Sequence, residues 1–173
     1  ITKQVQEQLV LNVCKSIGVA GVSLRFQNVY GPGQSLTNPY TGILSVFSNL
    51  ILNKKPINIF EDGLESRDFV YIDDVARAFR LIGEKGKPFH HYLIGSGKAK
   101  ALKEFLLEMR AAIAPDLEFK FGDIPFTGID LPLDAFDCEE TEQDTGFRAR
   151  ISFGEGCKRT MNWWKEDKNG TKI

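Results

Sequence analysis

Apolar positions along the chain follow first a helical period and then a strand-like one. From Val5 to Ile17 apolar residues recur every four positions, which predicts a helix with one apolar face. Gly18 stands where a left-handed residue commonly ends a helix. Apolar residues at every second position over 22–26 predict a strand, and glycine and proline at 31–33 end it.

Along the rest of the chain, stretches of apolar residues with helical spacing alternate with stretches of strand-like spacing, except over residues 122–150. An acidic stretch with proline and glycine over 122–150 predicts a solvated loop with one short helix. Strands that alternate with helices predict an α/β fold. The further predicted helices begin at Asn38, near Asp73 or Asp74, at Leu102 and before Cys157, and the further predicted strands span residues 57–59, 69–72, 89–94 and 117–121.

Size and charge narrow the class of protein. The chain has 173 residues, 42% apolar and 26% charged, which is ordinary for one globular domain. A net charge of −1 gives no support for binding to nucleic acid or to an anionic membrane. The three cysteines lack the spacing of metal ligands, so we expect no metal site. Free thiols suit a reducing compartment, and we expect a cytoplasmic protein.

Residues 93–106 match the sequence fingerprint of a dinucleotide-binding loop in part. They predict a strand, a turn at Gly95 and Gly97 and then a helix, which is the context of that fingerprint. The third glycine would fall at Lys100, where a long side chain prevents the helix from packing closely on the strand. We therefore predict that the turn binds no dinucleotide, and the sequence contains no other stretch of this kind.

Two stretches carry a family resemblance. Residues 24–34 read LRFQNVYGPGQ, and residues 67–79 read RDFVYIDDVARAF, with an IFEDG turn at 59–63 between them. Together they resemble extended short-chain dehydrogenase/reductases, in particular the NAD(P)-dependent nucleotide-sugar epimerases and dehydratases. Residues 1–11 resemble the end of the Tyr-x-x-x-Lys helix of that family, and residues 151–166 resemble its C-terminal helix. The similarity covers nearly the whole chain.

The resemblance implies a fold and a domain arrangement. It predicts the C-terminal part of a doubly wound, Rossmann-type parallel sheet with a small α/β substrate-binding lobe. The end of the Rossmann domain would comprise about residues 1–30 and 73–115, and the lobe about residues 31–72 and 116–166. The N-terminal cofactor-binding half would lie outside the chain, and we expect the chain alone to be inactive.

The resemblance assigns a catalytic role to Lys3. It would be the lysine of Tyr-x-x-x-Lys, with the tyrosine two positions before Ile1 and outside the chain. A nearby ammonium lowers the pKa of a phenol from its usual value of about 10. One helical turn places the two side chains on the same face. Lys3 would also bind the ribose of the nicotinamide, and without the downstream motifs it would be a surface lysine.

A cofactor and a substrate are implied as well. NAD or NADP would pass the backbone near Phe26 and Gln27, and the substrate would be a nucleotide-diphosphate sugar. Asn28 would contact the diphosphate or the sugar, although an asparagine here equally suits a turn. Ile59 would flank the nucleotide base or pack at a strand edge. Arg67 would bind the diphosphate, because its planar guanidinium matches phosphate oxygens.

The surroundings of Arg67 leave an alternative open. Asp68, Asp73 and Asp74 follow closely, and any of them is a candidate ion-pair partner. We predict a structural role for Asp73 and Asp74, since at least one of them suits the cap of the next helix. Family members often carry a second arginine in an Arg-Pro-Gly-Asp stretch, but the matching region here, GDIPFTGIDLP, has no arginine. Diphosphate binding would then rest mainly on Arg67.

The leading functional hypothesis is an enzyme that oxidises a nucleotide-linked hexose through a nicotinamide and thereby epimerises, dehydrates or reduces it. One alternative is a non-catalytic binding module that begins near Ile1. Another is a reductase of the same superfamily that acts on a non-nucleotide ketone. The lysine-bearing helix of this family usually contributes to a homodimer, so residues 4–17 would face a second copy.

Two pairs of adjacent aromatic residues are assigned to structure. His90 and His91 lie on a predicted strand, so we expect them on opposite faces and unable to share a metal. Trp163 and Trp164 lie on the last predicted helix, where we expect them to pack against the core.

Overall fold

The computed structural model describes residues 1–35, 43–55, 57–60, 63–116, 119–124 and 134–167. The helices in these ranges are α1 (Thr2–Ser16), α2 (Ile43–Leu52), α3 (Ile72–Lys85), α4 (Leu102–Ile113), α5 (Glu139–Thr145) and α6 (Phe153–Asp167). The strands are β1 (Ser23–Phe26), β2 (Asn28–Tyr30), β3 (Ile57–Phe60), β4 (Ser66–Arg67), β5 (Phe69–Tyr71), β6 (His91–Ile94), β7 (Lys100–Ala101) and β8 (Phe119–Ile124).

Most of the strand pairing in the described residues is parallel. β1 pairs with β6, β2 with β5 and β3 with β8 in this orientation, whereas the short strands β4 and β7 pair antiparallel. A parallel neighbour requires a long crossover connection, and helices such as α3, between β5 and β6, lie in these connections. The predicted α/β fold class is confirmed.

The chain changes partners between β1 and β2. The backbone N–H of Gln27 donates to the carbonyl of Ile94 at the end of β6 (2.9 Å), whereas the N–H of Asn28 donates to the carbonyl of Asp68 (3.1 Å). β1 and β2 therefore form one extended segment that leaves one parallel pair and enters another. In α/β sheets ligands bind beyond the carboxyl ends of strands that diverge in this way.

An aromatic core joins β2 and β5 to α4 and α6. The ring centroids of Phe69 and Phe105 lie 4.8 Å apart, and those of Phe105 and Phe153 lie 4.7 Å apart, both edge to face. The Tyr30 hydroxyl donates to the carbonyl of Phe153 at 3.2 Å, and burial raises the pKa of this phenol far above its usual value. Gly156 leaves room for the hydroxyl, because a Cβ at that position would overlap it.

A second core cluster lies at the β1–β6 pair. Ala78 and Ile82 of α3 pack with Tyr92 and Ile94 of β6 and with Phe147, and all five are buried. Removing this apolar surface from water stabilises the fold by roughly 25 cal/mol for each Å² buried. The two clusters together hold the helices against the strands whose carboxyl ends form the candidate site.

Most predicted helices and strands are confirmed. α1 ends at the predicted boundary, with Gly18 at φ +71°. Trp164 packs in the core as expected, and Trp163 is half-buried. The predicted helix start at Asn38 and strand start at Leu117 lie outside the described residues. The sequence pattern does not predict β2, β4 and β7, because two or three residues are too few to establish a period.

Two expectations about local structure are wrong. The residue before α3 is Tyr71, whose side chain makes no capping hydrogen bond, and Asp73 and Asp74 lie inside the first turn of the helix. There their carboxylates lie near the positive end of the helix dipole. The rings of His90 and His91 stack at 5.3 Å and 13° and do not lie on opposite faces. The strand begins only at His91, so His90 does not follow its alternation.

Candidate functional site

A cleft of about 730 Å³ lies between the first turns of α1 and strand β1. Lys3, Glu7 and Val10 line it from the helix, and Phe26 lines it from the end of the strand. Lys3 is exposed in the first turn of α1. The structure therefore places two of the predicted site residues, Lys3 and Phe26, on one cleft.

Glu7 fixes α1 against β1. Its carboxylate accepts two hydrogen bonds from the Arg25 guanidinium (2.9 and 2.6 Å) and one from the Ser23 hydroxyl (2.7 Å). The hydrogen bonds from Arg25 are the main cause that holds the pKa of the Glu7 carboxyl at about 2. The position of the helix that carries Lys3 therefore depends on this pair of charges.

The end of β1 presents two side chains with different surroundings. The ring of Phe26 is 38% exposed and contacts the ring of Phe79 at a centroid distance of 5.7 Å. The side-chain amide of Gln27 donates to the carbonyl of Asp134 at 3.1 Å. Phe26 therefore offers an apolar ring beside the cleft, whereas the Gln27 side chain is bound within the chain.

Asn28 and Arg67 are both linked to Asp68, Asn28 through hydrogen bonds and Arg67 as the preceding residue of the chain. Both the backbone N–H and the side-chain amide of Asn28 donate to the carbonyl of Asp68, at 3.1 and 3.2 Å. Arg67 immediately precedes Asp68, is half-buried on β4, and donates from its guanidinium to the carbonyl of Ser66 at 2.8 Å. The two predicted substrate-binding residues thus lie on either side of Asp68.

The three aspartates considered as partners for Arg67 each contact other groups. Asp68 is fully buried, Asp74 is nearly so, and Asp73 is exposed. Their contacts are the backbone and hydroxyl of the Ser96–Gly97 turn for Asp68, Arg159 at 3.7 Å for Asp73, and Arg77 at 2.6 Å for Asp74.

The backbone amides of the Gly95–Gly97 turn bind the carboxylate of Asp68. The N–H of Ser96 donates to both carboxylate oxygens of Asp68 (3.1 and 3.0 Å), and the N–H of Gly97 donates to one of them at 3.2 Å. The Ser96 hydroxyl donates to the same carboxylate. These amides face a buried side chain, which agrees with the prediction that the turn is not a cofactor loop.

Strand β3 carries Ile59, the predicted neighbour of a nucleotide base. Ile59 lies opposite Phe121 in the parallel register of β3 and β8, and the structure describes the backbone alone at this position. Of the arginine-free stretch at 122–132, residues 125–132 lie outside the described part of the chain. The structure therefore places the strand, and the role of the Ile59 side chain stays a prediction.

A second cleft of about 650 Å³ lies between the Gly95–Gly97 turn and residues 147–153. Charges of both signs line it, among them Lys98, Lys100 and Glu108, and none of the five predicted site residues with described side chains does. The sequence does not predict this cleft because its walls come from distant parts of the chain. Within the described ranges, no three His, Cys, Asp or Glu side chains form a group that could hold a metal.

Comparison with known proteins identifies the family. The model of the NAD dependent epimerase/dehydratase family matches residues 1–95, which is more than half of the chain. The chain belongs to this family. The match includes the cleft beside Lys3, the segment from Phe26 to Asn28, and Arg67.

Relatives within the epimerase/dehydratase family match most of the chain. A dTDP-L-rhamnose 4-epimerase of Burkholderia thailandensis is 38% identical over 81% of this chain and 38% of its own length. A trifunctional UDP-glucose 4,6-dehydratase/3,5-epimerase/reductase of Arabidopsis thaliana is 30% identical over 96% of this chain and 24% of its own length. The chain thus spans well under half of these two relatives.

Solved structures of the family have the same fold. The crystal structure of a UDP-glucose 4-epimerase from Thermotoga maritima, with UDP-glucose, superposes with a TM-score of 0.84 and 28% identity. The superposition covers 96% of this chain and 52% of the Thermotoga maritima chain. The likeness supports the Rossmann-type epimerase fold predicted from the sequence. None of the described helices is both long and apolar enough to cross a membrane.

Proposed function

We propose that the chain is the substrate-binding half of an NAD(P)-dependent nucleotide-sugar epimerase/dehydratase, with the cofactor-binding half outside the chain. The single observation that carries the proposal is the placement of Asn28 and Arg67 on either side of Asp68, beyond the end of β1. The proposal is supported by the position of Asn28, where the chain leaves the β1–β6 pair for the β2–β5 pair, since ligands of α/β sheets bind where strands diverge.

The substrate in this proposal is a nucleotide-diphosphate sugar. The Arg67 guanidinium binds diphosphate oxygens through its planar fork, and the side-chain amide of Asn28 has a second N–H that can donate to the same ligand. Ile59, on β3, flanks the nucleotide base. The relatives that support this substrate class are a dTDP-sugar epimerase and an epimerase crystallised with UDP-glucose.

The nicotinamide side of the proposal uses Lys3, Phe26 and Gln27. Lys3 and Phe26 line one cleft, which suits a ring and a ribose, and Gln27 contributes its backbone because its side chain is bound to Asp134. The ammonium of Lys3 binds the ribose and favours the phenolate of a tyrosine one turn earlier on the same helix. NAD or NADP, when bound, supplies hydride transfer at the hexose.

The proposal includes a homodimer that forms through α1. No residue of this helix is buried, and Val5, Leu9, Val13 and Ile17 expose 48–66% of their surface. Apolar surface of this extent on one helix face is typical of an interface.

Calorimetric titration of the natural protein with UDP and dTDP tests the substrate side. Arg67→Ala should weaken binding of the preferred nucleotide by about 1.5–3 kcal/mol, the usual value for a charge-assisted hydrogen bond. Arg80→Ala is the matched control, because this arginine lies on the exposed side of α3 with a weak 3.4 Å pair to Glu84, and it should leave the affinity unchanged. Equal affinity of wild type and Arg67→Ala would contradict the phosphate role of Arg67.

The wild-type titration tests the proposal as a whole. Binding of either nucleotide supports a nucleotide-sugar enzyme over a reductase that acts on a non-nucleotide ketone. If the wild type binds neither UDP nor dTDP in the presence of NAD or NADP, the proposed substrate class is wrong.

A further inference from the structure

Asp68 is a buried carboxylate that serves no role in the proposed chemistry. Its side chain has 0% exposed surface. It accepts hydrogen bonds from the Ser96 and Gly97 amides at 3.0–3.2 Å and from the Ser96 hydroxyl. Burying a carboxylate costs free energy unless hydrogen-bond donors surround it, and here the Ser96 and Gly97 donors offset that cost.

Gly95 is shaped to the same carboxylate. A Cβ at this position would lie 2.5 Å from Asp68 Oδ2, so an alanine here would displace the aspartate or the turn. Gly95 is buried and follows β6 directly. Asp68 is therefore tied to the end of the strand that pairs with β1, although it comes from a different part of the chain.

The backbone of Asp68 is linked to two of the predicted substrate-binding residues, Asn28 and Arg67. Its carbonyl accepts both hydrogen bonds from Asn28, and its amide nitrogen is joined directly to Arg67. Across the short antiparallel pair, Arg67 lies opposite Lys100, a few residues after the turn that holds the carboxylate. One residue thus connects the Ser96–Gly97 turn, Asn28 and Arg67.

We propose that Asp68 is a positioning residue that sets the distance between Asn28 and Arg67 and thereby the affinity for the diphosphate. This inference rests on the proposed function. The carboxylate anchors the backbone to the turn, and the carbonyl of the same residue orients the Asn28 amide. An amide in place of the carboxylate would turn an N–H group toward some of the Ser96 and Gly97 donors and leave a single acceptor oxygen, so the anchor would be weakened.

Asp68→Asn in the natural protein tests the anchor. We expect affinity for UDP or dTDP, measured by calorimetry on the folded variant, to fall roughly tenfold because a charged hydrogen-bond acceptor is lost. Asp74→Asn is the matched control. Asp74 is also nearly buried and also binds backbone amides, those of Arg150 and Ile151 at 2.9 Å, but it does not contact Asn28. It should lower thermal stability and leave the affinity unchanged.

A double-mutant cycle with Asn28→Ala separates positioning from general destabilisation. If Asp68 acts through Asn28, the combined variant should lose less affinity than the sum of the two single losses. Additive losses, or an equal loss of affinity in Asp74→Asn, would overturn the inference. Should Asp68→Asn fail to fold, Ser96→Ala removes one donor to the carboxylate and should weaken binding in the same direction, and unchanged affinity there counts against the anchor.

The outcome for Asp68 is distinguishable from that for the proposed function. If the wild type binds nucleotide and Arg67→Ala weakens binding, but Asp68→Asn does not, the positioning role is wrong and the substrate class stands. If the wild type binds neither UDP nor dTDP, the proposed function fails first and the positioning role fails with it.

Discussion

Single buried carboxylates connect distant segments of this chain. Asp68 binds the turn that follows β6, and Asp74 binds the Arg150 and Ile151 amides before α6. In each case a charge that would be costly to bury alone is satisfied by backbone N–H groups. Neighbouring acidic residues in the sequence therefore have different roles, and Asp73, which is exposed, has a distant contact with Arg159 at 3.7 Å.

Substitution of the single residue Lys3 tests its proposed role in nicotinamide binding and catalysis. Under the proposed function, Lys3→Met should abolish turnover of a nucleotide-sugar by the natural protein, because it removes the ammonium that is proposed to favour the phenolate. The fold should be unchanged, since the side chain is exposed at the start of α1. Steady-state kinetics and circular dichroism measure the two effects.

The matched control for Lys3 is at the other end of the helix. Lys15→Met removes an exposed lysine from the last turn of α1 and should keep full turnover. Retained turnover in Lys3→Met would show that another group performs the proposed role.

Elements are joined here by polar contacts as well as by the apolar core. α1 buries none of its residues, yet Glu7 binds both Ser23 and Arg25 of β1. The bidentate Arg25 contact gives this pair fixed geometry, which isolated surface pairs usually lack. The position of α1 on the strand should therefore depend on pH.

The pH dependence has a definite sign. The pKa of Glu7 is about 2 in the folded chain and 4.5 in its ordinary state, so the unfolded state binds more protons between these values. Stability from this contact is fully present above pH 4.5 and is lost as the pH falls through about 2. Urea unfolding should show Glu7→Gln to be less stable than the wild type at pH 7, with the gap closing toward pH 2.

Arg25→Gln provides the companion test. It removes the main cause of the lowered pKa, so it should eliminate the same pH-dependent part of the stability. A stability gap between the wild type and Glu7→Gln that is equal at pH 7 and pH 2.5 would contradict this account.

The molecule as a whole has an uneven distribution of apolar surface. The described core lies around β2, β5 and β6, whereas α1 exposes a row of apolar side chains at helical spacing. Such a row is unfavourable in water and is stabilised when another surface covers it. The proposed homodimer supplies that surface.

Light scattering of the natural protein tests the dimer. The wild type should have the mass of two copies, and Leu9→Glu with Val13→Glu should reduce it to one, because two charges would be buried in the interface. Leu107→Glu, on an exposed position of α4, should stay dimeric. A monomeric wild type would show that the apolar side of α1 has another partner.

The sequence predicts much of the fold and part of the candidate site. The four-residue period from Val5 to Ile17 predicts α1, and the stretch around Arg67 predicts the family, which the match over residues 1–95 bears out. The roles of six residues stay predictions: Lys3, Phe26, Gln27, Asn28, Ile59 and Arg67. Asp68 and Ser96 lie 28 positions apart in the chain, and a local sequence pattern does not predict a contact over that separation.

By itself the sequence determined the helices, the longer strands and the family, because side-chain periodicity and backbone restrictions act over a few neighbouring residues. Only the tertiary structure decided what the polar residues do. It assigned Asp68 to the Gly95–Gly97 turn and Asp74 to the amides before α6, and it bound Asn28 to the carbonyl of Asp68, the residue that follows Arg67. The physical reason is that a buried charge is satisfied by whichever donors the packed core brings within hydrogen-bond distance, and that set is fixed by the fold as a whole.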